Sequence, residues 1–200
     1  MYPVALTGAI GSGKTTVASL FNKSYNIDII CADQCAKEVI LLPEVITSII
    51  DKFGDSILNA DGIIDRKSLR SAISHNSSAR LFLNNLMHPI IRQSIESKLI
   101  KSQSVYTIVD IPLLRLETLD NYPYLQKIIS VFASIERKLA RITMRDNENR
   151  SQAFLILQSQ ISDNNRRQFS DFVIENDETM IALNPKINKI NQTLCAFVKK

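Results

Sequence analysis

The 200-residue sequence predicts an α/β fold in which a parallel sheet is flanked by helices. Two observations carry the prediction. Short, apolar, β-branched runs alternate with segments of helical periodicity along most of the chain, the pattern of strands joined by crossover helices. The runs are apolar at consecutive positions, as strands covered on both faces are.

The elements follow in order. Residues 2–6 read as a short buried strand. A loop over 7–13 leads into a helix over 14–22, with Val17, Leu20 and Phe21 on one face. Residues 27–31 are a second strand, ended by Ala32 and Asp33. Helical patterns cover 34–41 and 44–53, and Asp61-Gly62 marks a turn. Asp65 reads as the cap of a helix over 66–74, and Asn76 as the cap of a longer helix over 77–100 with a kink at Pro89. Residues 105–111 form the third strand, stopped by Pro112, and 127–132 the fourth. Ser134 starts a helix to about Arg145, and a polar helix covers 150–164. Residues 172–175 are a fifth strand, and a last helix over 186–198 is apolar at Ile187, Ile190, Leu194 and Val198. The helical stretch 34–103 departs from the alternation, as excursions that cover a ligand do.

Composition excludes several classes. The chain is 45% hydrophobic and 22% charged, average for a globular protein, and long enough to bury a core without disulfides. No stretch of about 18 uncharged apolar residues occurs, so no membrane span is expected, and no leader pattern precedes the first strand. The three cysteines, Cys31, Cys35 and Cys195, lack C-x-x-C spacing and read as reduced thiols of a cytoplasmic protein without a zinc site. His75 and His88 are too far apart for a helical metal pair. The net charge of +4 suits an anionic small ligand and does not by itself exclude weak nucleic-acid contact.

Three of the five glycines fall between positions 8 and 13. Gly8-Ala9-Ile10-Gly11-Ser12-Gly13-Lys14-Thr15 satisfies G-x-x-x-x-G-K-[ST] between a predicted strand and a predicted helix, the context that a phosphate loop requires. Glycines let successive backbone N–H groups converge on phosphate oxygens, and the helix adds its positive N-terminal end. Gly11, Ser12, Gly13, Lys14, Thr15 and Thr16 are therefore expected to bind nucleotide, with Lys14 on the β- and γ-phosphates and the Thr15 hydroxyl on Mg²⁺. No Asn-Lys-x-Asp guanine signature is present, since Asn188-Lys189-Ile190-Asn191 lacks the acid. Small-molecule phosphoryl transfer is the leading class.

Two acids lie where ligands bind an open parallel sheet, at the strand ends. Asp33 follows the second strand and reads equally as a proton acceptor, a holder of a Mg²⁺-bound water, or a helix N-cap. Asp110 ends the third strand in a Walker-B-like pattern and reads as a support of Mg²⁺ or as a solvated acid at the strand end. Arg137, Lys138, Arg141, Arg145, Arg150, Arg166 and Arg167 cluster on the late polar helices, and Arg141 and Arg145 share a helix face. Such guanidiniums can clamp a phosphoryl group from a closing lid, or simply form a solvated cationic face.

The run 5–18, Ala32-Asp33 with Ala36-Lys37-Glu38-Val39, Asp65-Arg66, His88-Pro89-Ile90-Ile91-Arg92, Asp110-Ile111-Pro112-Leu113-Leu114, Arg141-x-x-x-Arg145-Asp146, Gln160, Asp171 and Asn176 together resemble the dephospho-CoA kinase family. The resemblance spans residues 3–198. The phosphate loop in it is generic, whereas Asp33, His88-Pro89 and Pro112-Leu113-Leu114 in this order are specific. The sequence departs from the family at Ala9, where a second glycine is usual, at Leu116, where Glu is frequent, and at Lys138, where Gln is frequent.

That resemblance implies a P-loop kinase fold in one 1–200 domain with a five-stranded parallel core (about 1–33, 104–137 and 169–200). It implies a helical CoA-binding region over 34–103 and a helical lid over 138–168. It implies ATP- and Mg²⁺-dependent phosphorylation of the ribose 3′-hydroxyl of dephospho-CoA, the last step of coenzyme A synthesis. Asp33 would be the general base, and Lys14, Arg141 and Arg145 would stabilise the transferring phosphoryl group. Asn176 would lie near adenine, and Asp33, Arg66, His88, Arg92, Pro112 and Leu113 would contact dephospho-CoA. A cytoplasmic monomer or weak homo-oligomer with no nucleic-acid or membrane partner is expected. The alternatives are another small P-loop nucleotide or metabolite kinase, and a P-loop switch without catalysis.

Overall fold

The computed structural model describes residues 1–74, 76–146 and 149–199, so His75 lies outside the described residues. The chain forms two compact units, one of Met1–Cys31 with Lys98–Lys200, the other of Ala32–Ser97.

The first unit is built on five strands: β1 (Pro3–Gly8), β2 (Asp28–Cys31), β3 (Thr107–Asp110), β4 (Lys127–Phe132) and β5 (Phe172–Glu175). Their order across the sheet is β2-β3-β1-β4-β5 and every pairing is parallel, as expected of buried apolar strands joined by helices. All six residues of the central β1 are buried. Val4 and Leu6 of β1, Ile108 of β3, Ile129 and Val131 of β4 and Ile174 of β5 turn to one face. There they meet Val17 and Phe21 of α1 (Lys14–Tyr25) and Leu183, Ile187, Ile190 and Leu194 of α9 (Met180–Val198). Three helices follow β4: α6 (Ile135–Asp146), α7 (Arg150–Gln158) and α8 (Asp163–Arg167). Leu139, Ile142 and Ala153 bury each other between α6 and α7, and Ile10 packs on them.

The second unit contains α2 (Ala32–Val39), α3 (Pro43–Phe53), α4 (Arg66–Ser74) and most of α5 (Ser77–Lys101). Its own core joins Val39, Val45, Ile49, Ile57, Ile64, Leu69 and Met87. The caps read from sequence are in place. The Ser68 amide donates to Asp65 Oδ2 at 3.0 Å and the Ala79 amide to Asn76 Oδ1 at 3.0 Å. Asp61 and Gly62 form the expected turn, with Gly62 at φ 75°.

Several boundaries differ from the sequence reading. Ala32 and Asp33 begin α2 rather than closing the strand, so Asp33 is in a helix's first turn and not at its N-cap. The polar helix expected over 150–164 is two helices. The first closes at Ser159, and Ser162 Oγ accepts from the Asn165 amide at 3.2 Å to start the second. The last helix starts at Met180, six residues early, and passes through Pro185, whereas α5 continues through Pro89 as read. In both cases the proline and the residue four before it, Ile181 or Asn85, are exposed. Water can therefore take the carbonyl that loses its partner, and buried Leu183 and Ile187, or Met87 and Ile95, hold the helix on either side.

Candidate active site

β1 ends at Gly8, and the backbone curls from there into α1. Gly11 and Gly13 have φ of 75° and 87°, a region that side chains disfavour. Space forbids a side chain as well. A Cβ on Gly11 would lie 2.6 Å from the Lys138 carbonyl oxygen, and one on Gly13 2.0 Å from Asn176 Nδ2. Ala9 is tolerated because the one non-glycine with positive φ among the described residues is Asn26.

The loop is held from outside. Arg141 Nη1 donates to the carbonyls of Gly11 and Ser12, each at 3.1 Å, and its Nη2 donates to the Asn176 carbonyl at 2.9 Å. Asn176 Nδ2 donates to the same Ser12 carbonyl at 2.8 Å, and the Ile10 amide donates to Gln160 Oε1 at 2.9 Å. A trans peptide points its N–H opposite its C=O, so turning the Ser12 carbonyl toward Arg141 directs the Gly13 amide the other way. Behind this brace, Asp177 Oδ1 accepts from the Ser134 amide at 2.7 Å, which ties the segment after β5 to the start of α6. The Ser134 amide and hydroxyl hold the Asp177 carboxyl below the usual carboxylate range.

Lys14 Nζ donates to Asp110 Oδ1, joining the loop to the end of β3, and both side chains are largely buried. Thr15, second in α1, is exposed, and Thr16 is half-buried. α1 has no side-chain cap and no acid in its first turn, and Ser12 Oγ is buried without a partner among the described residues. Uncapped helix amides, an orphaned hydroxyl and Lys14 together fit a phosphate chain. No group of three or more His, Cys, Asp or Glu able to hold a metal occurs among the described residues. The Thr15 hydroxyl and Asp110 carboxylate are hard oxygen donors that suit Mg²⁺ where phosphate oxygens and water complete its shell.

The remaining expected residues fall elsewhere. Thr7 Oγ1 donates to the Pro112 carbonyl at 3.3 Å, and Leu113 is 64% exposed just beyond. Arg145 is absorbed by a bidentate pair with Asp146, both bonds 2.7 Å, on the outside of α6. In the second unit Asp33 lies in the first turn of α2, Arg66 opens α4, and His88 and Arg92 are one turn apart on α5. His88 is exposed overall, but the covered part of its ring, and then the Arg92 charge, lower its pKa.

The cationic cluster is mostly spent on local acids. Lys138 donates to Asp163 at 2.6 Å, Arg150 to Glu136 at 2.5 Å, and Arg167 to Glu175. Reading the sequence for charge missed this distribution.

A family model described as dephospho-CoA kinase matches residues 2–182. The chain is 41% identical over 193 residues to a dephospho-CoA kinase of Legionella pneumophila strain Paris, covering 96% of this chain and 94% of that one. Among solved structures it resembles a dephospho-CoA kinase from Campylobacter jejuni, with TM-score 0.70, 27% identity and 97% of each chain covered. It also shares its fold with TT1252 from Thermus thermophilus, with TM-score 0.81, 22% identity and coverage of 98% and 96%. Among the described residues no helix is long and apolar enough to cross a membrane.

Proposed function

From the chain's membership of the dephospho-CoA kinase family, which the match over residues 2–182 establishes, we propose how its residues divide the work of that reaction. The enzyme phosphorylates dephospho-CoA, the final step of coenzyme A biosynthesis, and uses ATP as its family does. The transfer goes to the ribose 3′-hydroxyl. The observation that carries this reading is the phosphate loop whose Lys14 reaches Asp110 at the neighbouring strand end. Phosphoryl transfer asks for placement and charge neutralisation more than for covalent help, and such a loop supplies both.

Gly11, Ser12, Gly13 and Thr16 bind the nucleotide phosphates through backbone and hydroxyl donors. Lys14 neutralises charge on the transferring group. Thr15 and Asp110 hold Mg²⁺, which supplies charge neutralisation when bound. Asp33 accepts the proton of the 3′-hydroxyl. Arg141 acts through the loop it braces and is a positioning residue, as is Asn176, whose amide donates to the Ser12 carbonyl; adenine would lie near Asn176. Arg66, His88, Arg92, Pro112 and Leu113 contact dephospho-CoA. The core, CoA-binding and lid boundaries at 33, 104, 138 and 168 follow this division. A cytoplasmic monomer or weak homo-oligomer goes with this reading.

An ADP-release assay with Mg-ATP and dephospho-CoA, beside adenosine, AMP and shikimate, tests the substrate. Turnover confined to dephospho-CoA is expected. Turnover with another acceptor instead keeps a P-loop kinase and removes the acceptor assigned here.

A further inference from the structure

A cavity of about 290 Å³ in the first unit is lined by Leu113, Arg115, Ser159, Gln160, Ile161 and Arg166. Arg166 is fully buried, and its Nε and Nη1 have no hydrogen-bond partner among the described residues. Its nearest acid, Asp163, stands 3.8 Å away and is already bonded at 2.6 Å by Lys138, itself 3% exposed. Two buried cations thus share one carboxylate. A desolvated guanidinium with unmet donors is costly and is kept only where something else completes it. Burial holds the Arg166 pKa below its ordinary value, and the charge of Arg115 adds to this against the pull of Asp163. A second guanidinium therefore faces the same space. The cavity borders the phosphate loop, because Gln160 in its wall accepts the Ile10 amide and the Lys138 backbone abuts Gly11.

We propose that this cavity is a phosphate subsite in which Arg166 and Arg115 hold a phosphate group of one of the two substrates. The proposal rests on the kinase reading above. Two groups have the required chemistry, the terminal phosphate of the nucleoside triphosphate and the diphosphate bridge of dephospho-CoA. Paired planar forks suit either. Arg141 is bonded to three carbonyls and Arg145 to Asp146, and neither lines this cavity.

Calorimetric titration of wild type, Arg166→Met and Arg115→Gln with ADP, with the β,γ-imido analogue of ATP and with dephospho-CoA tests it. The expected result is an affinity loss of about 10- to 100-fold for one ligand, with ADP binding unchanged. Loss for the triphosphate analogue identifies the terminal phosphate as the occupant, and loss for dephospho-CoA identifies its diphosphate. Arg166→Met should keep or raise Tm, because an uncompensated buried charge is removed. A lower Tm with unchanged affinity for both ligands would make Arg166 a structural strut and overturn the proposal. Should Arg166→Met fail to fold, Arg115→Gln at its exposed position decides, and unchanged affinities overturn it. A wild type that ignores dephospho-CoA as acceptor, yet binds the analogue through Arg166, would overturn the substrate reading alone.

Discussion

Lys14 of the phosphate loop and Asp110 at the end of β3 are bonded side chain to side chain across 96 positions of sequence. Both are largely buried, so their charges interact with little solvent screening. The pair sets Lys14 at the mouth of the loop, and an arriving triphosphate has to draw the ammonium toward its own oxygens. Lys14→Ala should therefore lower turnover by about 10²–10³-fold or more, and Asp110→Asn should weaken the Mg²⁺ dependence of activity. Steady-state kinetics with a thermal melt of each variant check this. Wild-type turnover in Lys14→Ala would contradict it.

Arg141 donates to the carbonyls of Gly11, Ser12 and Asn176, so removing it loosens the loop itself. Arg141→Ala should weaken ADP binding by about tenfold or more and reduce kcat as well. Arg145→Ala breaks an exposed pair with Asp146 and should change either by less than about threefold. ADP affinity by calorimetry separates the two. An intact ADP affinity in Arg141→Ala would mean that the guanidinium works only during transfer.

Asp33 lies in the first turn of α2, where the helix dipole favours a carboxylate. Asp33→Asn keeps that geometry and removes the basicity. It should lower kcat by about 10²–10⁴-fold with nucleotide affinity intact. A loss below about threefold would leave the acid with a helix-starting role only.

Asp28 of β2 accepts from Ser102 Oγ at 2.6 Å and from the amides of Gln103 and Ser104 at 3.2 and 3.4 Å. These bonds, the Ser102 hydroxyl first, hold its carboxyl below the ordinary 3.8. The folded state thus prefers the ionised form more than the unfolded state does. The stabilisation is complete above pH 3.8 and is lost as pH falls through the depressed folded value. Asp28→Asn should lower Tm near neutrality, and the gap to wild type should close on acidification below that point. A gap independent of pH would contradict the linkage.

The parts legible in the sequence were those governed by neighbours in the chain. The phosphate loop is a contiguous pattern, and the fourth strand, Lys127–Phe132, and fifth, Phe172–Glu175, fall at the positions read because their apolar runs have clear ends. α4 starts where Asp65 places it. The split between α7 and α8 was less visible, although Ser162 ahead of Asp163 is a start signal in its own right. Pro185 misleads because a proline's cost depends on whether its orphaned carbonyl reaches water, which only the tertiary burial decides. The arginines were least legible. Arg141, Arg145 and Arg166 are alike in sequence, yet one grips backbone carbonyls, one pairs on the surface and one is buried with open donors. Arg141's fate rests on partners far away in sequence, Gly11 among them, and the burial of Arg166 is likewise set by the tertiary fold.

The most direct measurement of the central claim is the identity of the product. Wild-type enzyme would be incubated with Mg-ATP and dephospho-CoA, and the product examined by mass spectrometry and phosphorus NMR. The account predicts a gain of one phosphate, borne as a monoester on the ribose 3′-oxygen. Phosphate on a different hydroxyl, or ATP consumed with no gain in the mass of dephospho-CoA, would contradict it.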